Sequence, residues 1–396
     1  MERMKFIAAL QEAGEAPFSE VCARFGISRQ TGYKWKRRYE EGGAAALGSR
    51  PPIAHRHPNA TSEEVEALVV ELRKKRPTWG PKKLKAVLER EHGRRFPAAS
   101  TIGDILTRRG LITRKKRRLR VPPQSTPTSP YTGPNSVWCI DHKGDVRLAD
   151  GSRCKPLTLM DGFSRFLFRC EVVRSCQAAE ARPHIESAFR EYGLPNAIRS
   201  DGGAPFAGSR SPGRLSRLSV WWLKLGIELH RNEPASPQQN GRLERFHRTL
   251  KAETVAGGPY PEMVQERLFD AHRYDYNHVR PHEALDQRTP ASAYVESWRS
   301  HPRVVEPPEY VGPDIKARRV QRKGHVMFLA HEVRVGQALA GESVCFVQRQ
   351  EEDWDVYYAR HDLLTFKLRR GEPRVVQRPP TEGDTTRRPP AVHFCA

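Results

Sequence analysis

The chain has 396 residues, a formal net charge of +22 and a pI near 10.0. It is too long for one ordinary core and basic enough to repel itself unless a polyanion faces it, which favours nucleic acid over an anionic membrane surface. No apolar run is long enough to span a bilayer, the amino terminus reads as an amphipathic helix rather than a signal peptide, and seven scattered cysteines without a C-x-x-C pair argue for reduced thiols and a cytoplasmic location, not a disulfide framework or a cysteine-rich zinc site.

Residues 1–47 read as a small helical unit. A first helix near Met4–Gln11 precedes a helical period over Phe18–Phe25, Gly26 punctuates it, and Ser28 is placed to cap a helix from Arg29 to Tyr39. Val21, Phe25, Ile27 and Trp35 supply a shared core, and Arg29, Gln30, Lys34, Lys36 and Arg37 make the last helix a candidate for a DNA groove, against a plain helical hairpin with a solvated charged face. Residues 48–60 form a Gly-, Pro- and Arg-rich linker. A second helix-turn-helix or winged-helix-like unit is expected over 61–112, from amphipathic Glu63–Arg73, Pro81–Leu88 and Ser100–Leu106.

A basic linker over 113–134 follows. Eight basic side chains and no acid lie between Arg108 and Arg120, and Arg114, Lys115, Lys116, Arg117 and Arg118 suit phosphate tracking, or simply a solvated arm. Residues 135–300 alternate strand-like runs (Ser136–Asp141, Leu157–Met160, Phe166–Val173, Ala197–Ser200, Ile227–Arg231) with helical periods (Ala178–Tyr192, Leu215–Leu225, Gly241–Glu253, Met263–Tyr276), which predicts a mixed sheet flanked by helices. Short strands over 310–370 predict a small β-barrel, and the Pro- and Arg-rich 371–396 a disordered tail.

Three carboxylates stand out. Asp141 ends an apolar strand, Asp201 precedes Gly202-Gly203 on a turn, and Glu244 sits in a basic helix, a set that suits divalent-metal phosphodiester chemistry. Taken singly, each has a plainer explanation as a turn former, a cap or half of a surface salt bridge. Helical spacing groups Glu244 with His247, Arg248 and Lys251 on one stripe and turns Leu243, Phe246 and Leu250 to the core. Alternation puts Asp141 on the same side of its strand as Cys139.

Their surroundings decide between these explanations. Trp138 before Ile140-Asp141, the run Leu159–Arg165, Ser200-Asp201-Gly202, Ser236–Gly241 leading to Glu244, and Tyr276–Leu285 followed by Thr289-Pro290-Ala291 together resemble the DDE integrase-core transposases of bacterial insertion sequences, relatives of retroviral integrases. The resemblance implies a ribonuclease-H-like core with Asp141, Asp201 and Glu244 holding two Mg²⁺ ions, with Mn²⁺ able to substitute. One ion would activate water or a DNA 3′-hydroxyl and the other would stabilise the leaving oxygen. Lys143, His247, Arg248 and Lys251 are then candidates to hold phosphates, and Arg280 with His282 either braces the final helix or touches DNA. Asp161 is expected to be structural, bonded within its own turn to Ser164.

Two departures from the family pattern are visible. Asp201 and Glu244 are 43 positions apart, wider than the family interval, with the excess assigned to a loop over Ser209–Arg214. Gly202 stands where the family has Asn. The resemblance implies a transposase that binds element ends and joins them to target DNA as a homo-oligomer, nucleoid-associated when bound; some relatives add an accessory ATPase that selects the target, a partner the sequence leaves open. The alternatives are a transposase-derived DNA-binding regulator and a ribonuclease-H-like nuclease that cuts without joining.

Overall fold

The computed structural model describes residues 2–14, 16–48, 60–112, 131–208, 211–232, 241–312, 315–350, 353–369, 372–374 and 389–394. The basic run Arg114, Lys115, Lys116, Arg117 and Arg118, the Ser236–Asn240 segment and most of the expected tail lie outside them. The chain divides into two compact units, Met1–Ser62 and Glu63–Ala396.

The first unit holds helices α1 (Glu2–Glu12), α2 (Phe18–Arg24) and α3 (Arg29–Ala46, interrupted at Gly42-Gly43). Phe6, Ile7, Val21, Cys22 and Leu47 are buried together, with Phe25, Ile27 and Trp35 packed against them. Ser28 caps α3 by accepting the Thr31 amide at 3.2 Å. Gly32 lets α3 approach α2, since a Cβ there would lie 2.6 Å from the Cys22 sulfur. This is the predicted helix-turn-helix arrangement.

The second unit begins with α4 (Glu63–Lys75), α5 (Pro81–His92) and α6 (Ala99–Arg108) around Val69, Trp79, Leu84, Val87, Ile102 and Leu106. Pro81 at the first turn and Gly93 at φ +62° bound α5. The core domain follows, with β1 (Val137–His142), a hairpin of β2 (Val146–Arg147) and β3 (Arg153–Cys154), β4 (Leu157–Asp161), β5 (Leu167–Glu171), α7 (Ala178–Tyr192), β6 (Ala197–Ser200), α8 (Arg217–Lys224), β7 (Glu228–Arg231), α9 (Gly241–Leu250), α10 (Glu262–His278) and α11 (Pro290–Ala293). The sheet order is β5-β4-β1-β6-β7. Strands β5, β4 and β1 pair antiparallel, and β1, β6 and β7 pair parallel.

Side-chain alternation gives the sheet two dissimilar faces. Trp138 and Ile140 of β1 pack with Ile185, Phe189, Trp221 and Trp222 of α7 and α8. Cys139 and Met160 pack on the opposite face with Leu243, Phe246 and Leu250 of α9 and with Phe269 and Tyr276 of α10. The mixed ribonuclease-H-like sheet is as predicted.

The carboxy-terminal strands are β8 (Glu309–Val311), β9 (Ile315–Arg319), β10 (His325–Phe328), β11 (His331–Arg334), β12 (Ser343–Gln350), β13 (Asp353–Tyr358), β14 (His361–Arg369), β15 (Glu372–Arg374) and β16 (Ala391–His393). They make an open five-stranded antiparallel sheet in the order β15-β14-β13-β12-β9, with β10-β11 and β8-β16 as two-stranded ribbons. No pairing among the described residues closes the expected barrel. The β9 edge carries exposed Lys316, Arg318 and Arg319, which discourage further pairing. The tail also departs from expectation, because Ala391–His393 pairs with Glu309–Val311, Val392 is buried and Phe394 packs on the sheet's core. A composition average over Pro and Arg hides this short apolar stretch.

Candidate active site

Strands β1 and β6 run parallel with Cys139 opposite Arg199. Asp141 and Asp201 each lie two residues beyond that pair, at the same end of the sheet, with Asp141 on the face covered by α9. Asp141 is half-buried, whereas Asp201 is exposed and accepts the Gly203 amide at 3.3 Å. Glu244 is exposed in the first turn of α9. Asp141 therefore faces the helix that carries Glu244, with Asp201 at the end of the adjacent strand. Among the described residues, however, no group of three or more His, Cys, Asp or Glu side chains stands close enough to hold a metal ion.

His247 ties α9 to β1. The Thr158 hydroxyl donates to the Asp141 carbonyl at 3.0 Å and lies 2.9 Å from His247 Nε2, so Nε2 carries the ring proton. His247 Nδ1 is 4.0 Å from an Asp141 carboxylate oxygen. Burial, reinforced by the Lys143 ammonium, pushes His247 down to about 4, so the ring is neutral at ordinary pH. This corrects the helical-stripe expectation. The buried residues Leu243, Phe246, His247 and Leu250 recur at three, four and seven, while Glu244, Arg248 and Lys251 lie on the exposed stripe beside them. His247 is a brace and not a surface phosphate ligand.

Lys143 is half-buried, and its amide donates to the Pro156 carbonyl at 2.8 Å. His142 lies within the electrostatic reach of Asp201: burial lowers its pKa, and the Asp201 carboxylate acts in the opposite sense. Asp161 is fully buried and accepts from the Asn135 amide (2.9 Å), the Ser164 amide (2.7 Å) and the Ser164 hydroxyl (2.6 Å), the structural part expected of it. In the first unit Arg29, Gln30, Lys34, Lys36 and Arg37 are all exposed on α3.

The Tyr276–Leu285 motif turns out to be a buried junction. Asn277 binds both the amide (2.8 Å) and the carbonyl (2.9 Å) of Leu167 in β5. Glu253, in the π-helical turn that continues α9, pairs with Arg280 at 2.5 Å and with His272 at 3.2 Å, and accepts from Thr78 of the preceding helical module. Burial alone would raise its pKa, but these partners together hold it at about 2. Arg280 thus braces the final helix. The sequence reading missed two groups: Thr158, which has no local signal, and a cationic cluster in which Arg199 and Arg242 flank the Tyr131 ring at 4.9 and 3.7 Å.

Comparison with known proteins agrees with this architecture. Integrase core domain models match residues 131–237 and 225–290, a helix-turn-helix domain model matches 2–52, and a homeodomain-like domain model matches 31–106. The chain carries helix-turn-helix domains followed by an integrase core, and its relatives in insertion elements support an integrase-core transposase. The 31.7 kDa protein of insertion element IS407 from Burkholderia multivorans is 29% identical over 238 residues, 59% of this chain and 82% of that one. The 39.2 kDa protein of insertion element IS476 from Xanthomonas euvesicatoria is 27% identical over 266 residues, 65% and 72% of the two chains. The HTLV-2 integrase catalytic core, solved in complex with magnesium, overlays 41% of this chain and 99% of its own with 14% identity and a TM-score of 0.34. The integrase core implies an enzyme of nuclease or nucleotidyl-transferase type, and the insertion-element relatives support transposition as its setting. No helix among the described residues is long and apolar enough to cross a membrane.

Proposed function

We propose that the protein binds the ends of its own element and catalyses divalent-metal-dependent cleavage of the DNA 3′ ends and their transfer to a target. What supports this reading is that Asp141 and Asp201 lie at the same end of neighbouring parallel strands, with Asp141 against the helix that bears Glu244. Three carboxylates are a hard oxygen donor set suited to Mg²⁺ or Mn²⁺ rather than to a thiolate-seeking metal. Asp141, Asp201 and Glu244 would hold the ions, which when bound supply charge neutralisation at the scissile phosphate and activation of the attacking oxygen. The chain's own contribution is positional. Thr158 and neutral His247 fix the Asp141 strand end against α9, while half-buried Lys143 and exposed Arg248 and Lys251 would hold the phosphodiester backbone.

Element-end recognition falls to α3, through Arg29, Gln30, Lys34, Lys36 and Arg37, assisted by Arg114, Lys115, Lys116, Arg117 and Arg118. Bringing two ends together calls for a homo-oligomer on DNA, in the cytoplasm. No described residue points to an accessory ATPase.

The test uses the full chain, Mg²⁺ and duplexes ending in the DNA that flanks its gene, scoring 3′-end cleavage and joining separately. Asp141→Asn, Asp201→Asn and Glu244→Gln are each expected to abolish both steps while leaving binding to those duplexes intact. Unchanged cleavage by Asp141→Asn would sink the assignment, and cleavage without joining would leave a nuclease.

A further inference from the structure

Between Asp201 and Glu244 lies a 3-10 turn, Pro212–Arg214, whose last residue reaches back to the loop that holds Asp201. Arg214 Nη2 donates to the Gly202 carbonyl at 3.2 Å, and a Cβ on Gly202 would lie 2.5 Å from that same nitrogen. The guanidinium therefore fills the space that a side chain next to Asp201 would otherwise take. It is exposed, and among the described residues no carboxylate pairs with it. A guanidinium has five N–H donors, so most of its hydrogen-bonding capacity remains available.

The turn is gripped from behind by the carboxy-terminal β-domain. His361, at the start of β14, lies 3.0 Å from the Gly213 carbonyl through Nε2, and Gly213 sits at φ +62° with no room for a Cβ beside Leu363. Arg231, at the end of β7, donates to the carbonyls of Gly213 (2.9 Å) and Arg214 (2.8 Å). Leu215 is buried among β-domain side chains such as Val326, Phe346 and Leu364. Arg231 thus has its donors engaged by the backbone, whereas Arg214 is held rigid in its main chain and open at its tip.

We propose that Arg214 is a DNA-phosphate contact beside Asp201, installed there by the carboxy-terminal β-domain. The inference rests on the proposed function, since it takes the Asp201 end of the sheet as the place where DNA is cut. A planar guanidinium suits a phosphodiester through paired hydrogen bonds, a role Lys reproduces only as a point charge.

The full chain is assayed for metal-dependent nicking of supercoiled plasmid DNA, and for binding to a linear duplex as salt is raised. Arg214→Ala should lower nicking roughly ten- to a hundredfold, the loss of one charge-assisted contact. It should also reduce the slope of log affinity against log salt by about 0.9, with the melting temperature unchanged. Arg214→Lys should restore the slope but only part of the nicking. Gly202→Ala should displace the guanidinium and mimic Arg214→Ala, and the double variant should be no worse than Arg214→Ala alone. Nicking by Arg214→Ala within twofold of wild type, while Asp141→Asn is inactive, overturns this inference and leaves the proposed function standing. Wild-type nicking by Asp141→Asn removes the proposed function itself.

Discussion

The two amino-terminal helical modules look alike in sequence, each a run of short amphipathic helices dense in Lys and Arg, yet their cations do different work. On α3, Arg29, Gln30 and Lys34 face solvent, and among the described residues Lys36 and Arg37 make long, exposed pairs with Glu40 and Glu41, at 3.9 and 3.8 Å. Such pairs contribute little and open easily for a phosphate. In the second module Arg76 grips Asp275 of α10 with two bonds of 2.9 and 2.5 Å, Lys82 pairs with Glu283 at 2.5 Å, Lys83 bonds the Pro281 carbonyl and Arg90 the Val279 carbonyl. Arg108 and Arg109 both close on Glu66. Basic composition therefore separates a nucleic-acid surface from an intramolecular docking surface only when the acceptors are known.

Acid should expose this contrast most strongly. His282 and His361, in the second unit, are pushed by burial down to about 3 and about 4. The first unit has only His55 and His57, which lie outside its described residues and beyond the end of its last helix. The unfolded chain binds these protons near the ordinary value of 6.5 and the folded chain does not, so stability is complete above that pH and falls as pH drops toward 4. Each histidine contributes up to about 1.4 kcal/mol per pH unit within its window. Hydrogen exchange on the full chain between pH 7 and 4.5 should show amides of the second unit losing protection before those around Val21 and Cys22. Simultaneous loss would break the comparison.

Glu253→Gln should come next, at about 3–5 kcal/mol, because it leaves Arg280 buried without its counter-charge. Urea denaturation measures it, and binding of DNA through α3 should survive. Arg76→Ala should cost about 1.5–3 kcal/mol for the lost charged bonds to Asp275, again without weakening DNA binding. Lys34→Ala sits at the far end. It should change stability by less than about 0.5 kcal/mol but lower the salt slope of DNA binding by about 0.9. Equal effects of Arg76→Ala and Lys34→Ala on that slope would show that both modules contact DNA.

Much of this was legible beforehand. Strand β1, helices α7 and α9 and the Ser28 cap follow from alternation, helical period and capping chemistry, all of which act within a few residues. The likeness of the Asp141, Asp201 and Glu244 surroundings to one family needed only the sequence. Strands β8 and β9 were missed because their apolar content is slight, and β16 because its pairing partner lies some eighty residues earlier in the chain. The burial of His247 required seeing Thr158 across the sheet.

The sequence by itself determined where helices and strands form, which carboxylates deserve attention and that a polyanion is the partner, because propensity, periodicity and charge are local or additive quantities. Only the tertiary structure decided which arginines are braces and which are open, that Arg280 closes on Glu253 while Arg214 stands beside Asp201, and that the β-domain grips the Pro212–Arg214 turn. Those outcomes depend on acceptors brought together across long stretches of chain, and no local pattern encodes a partner that distant.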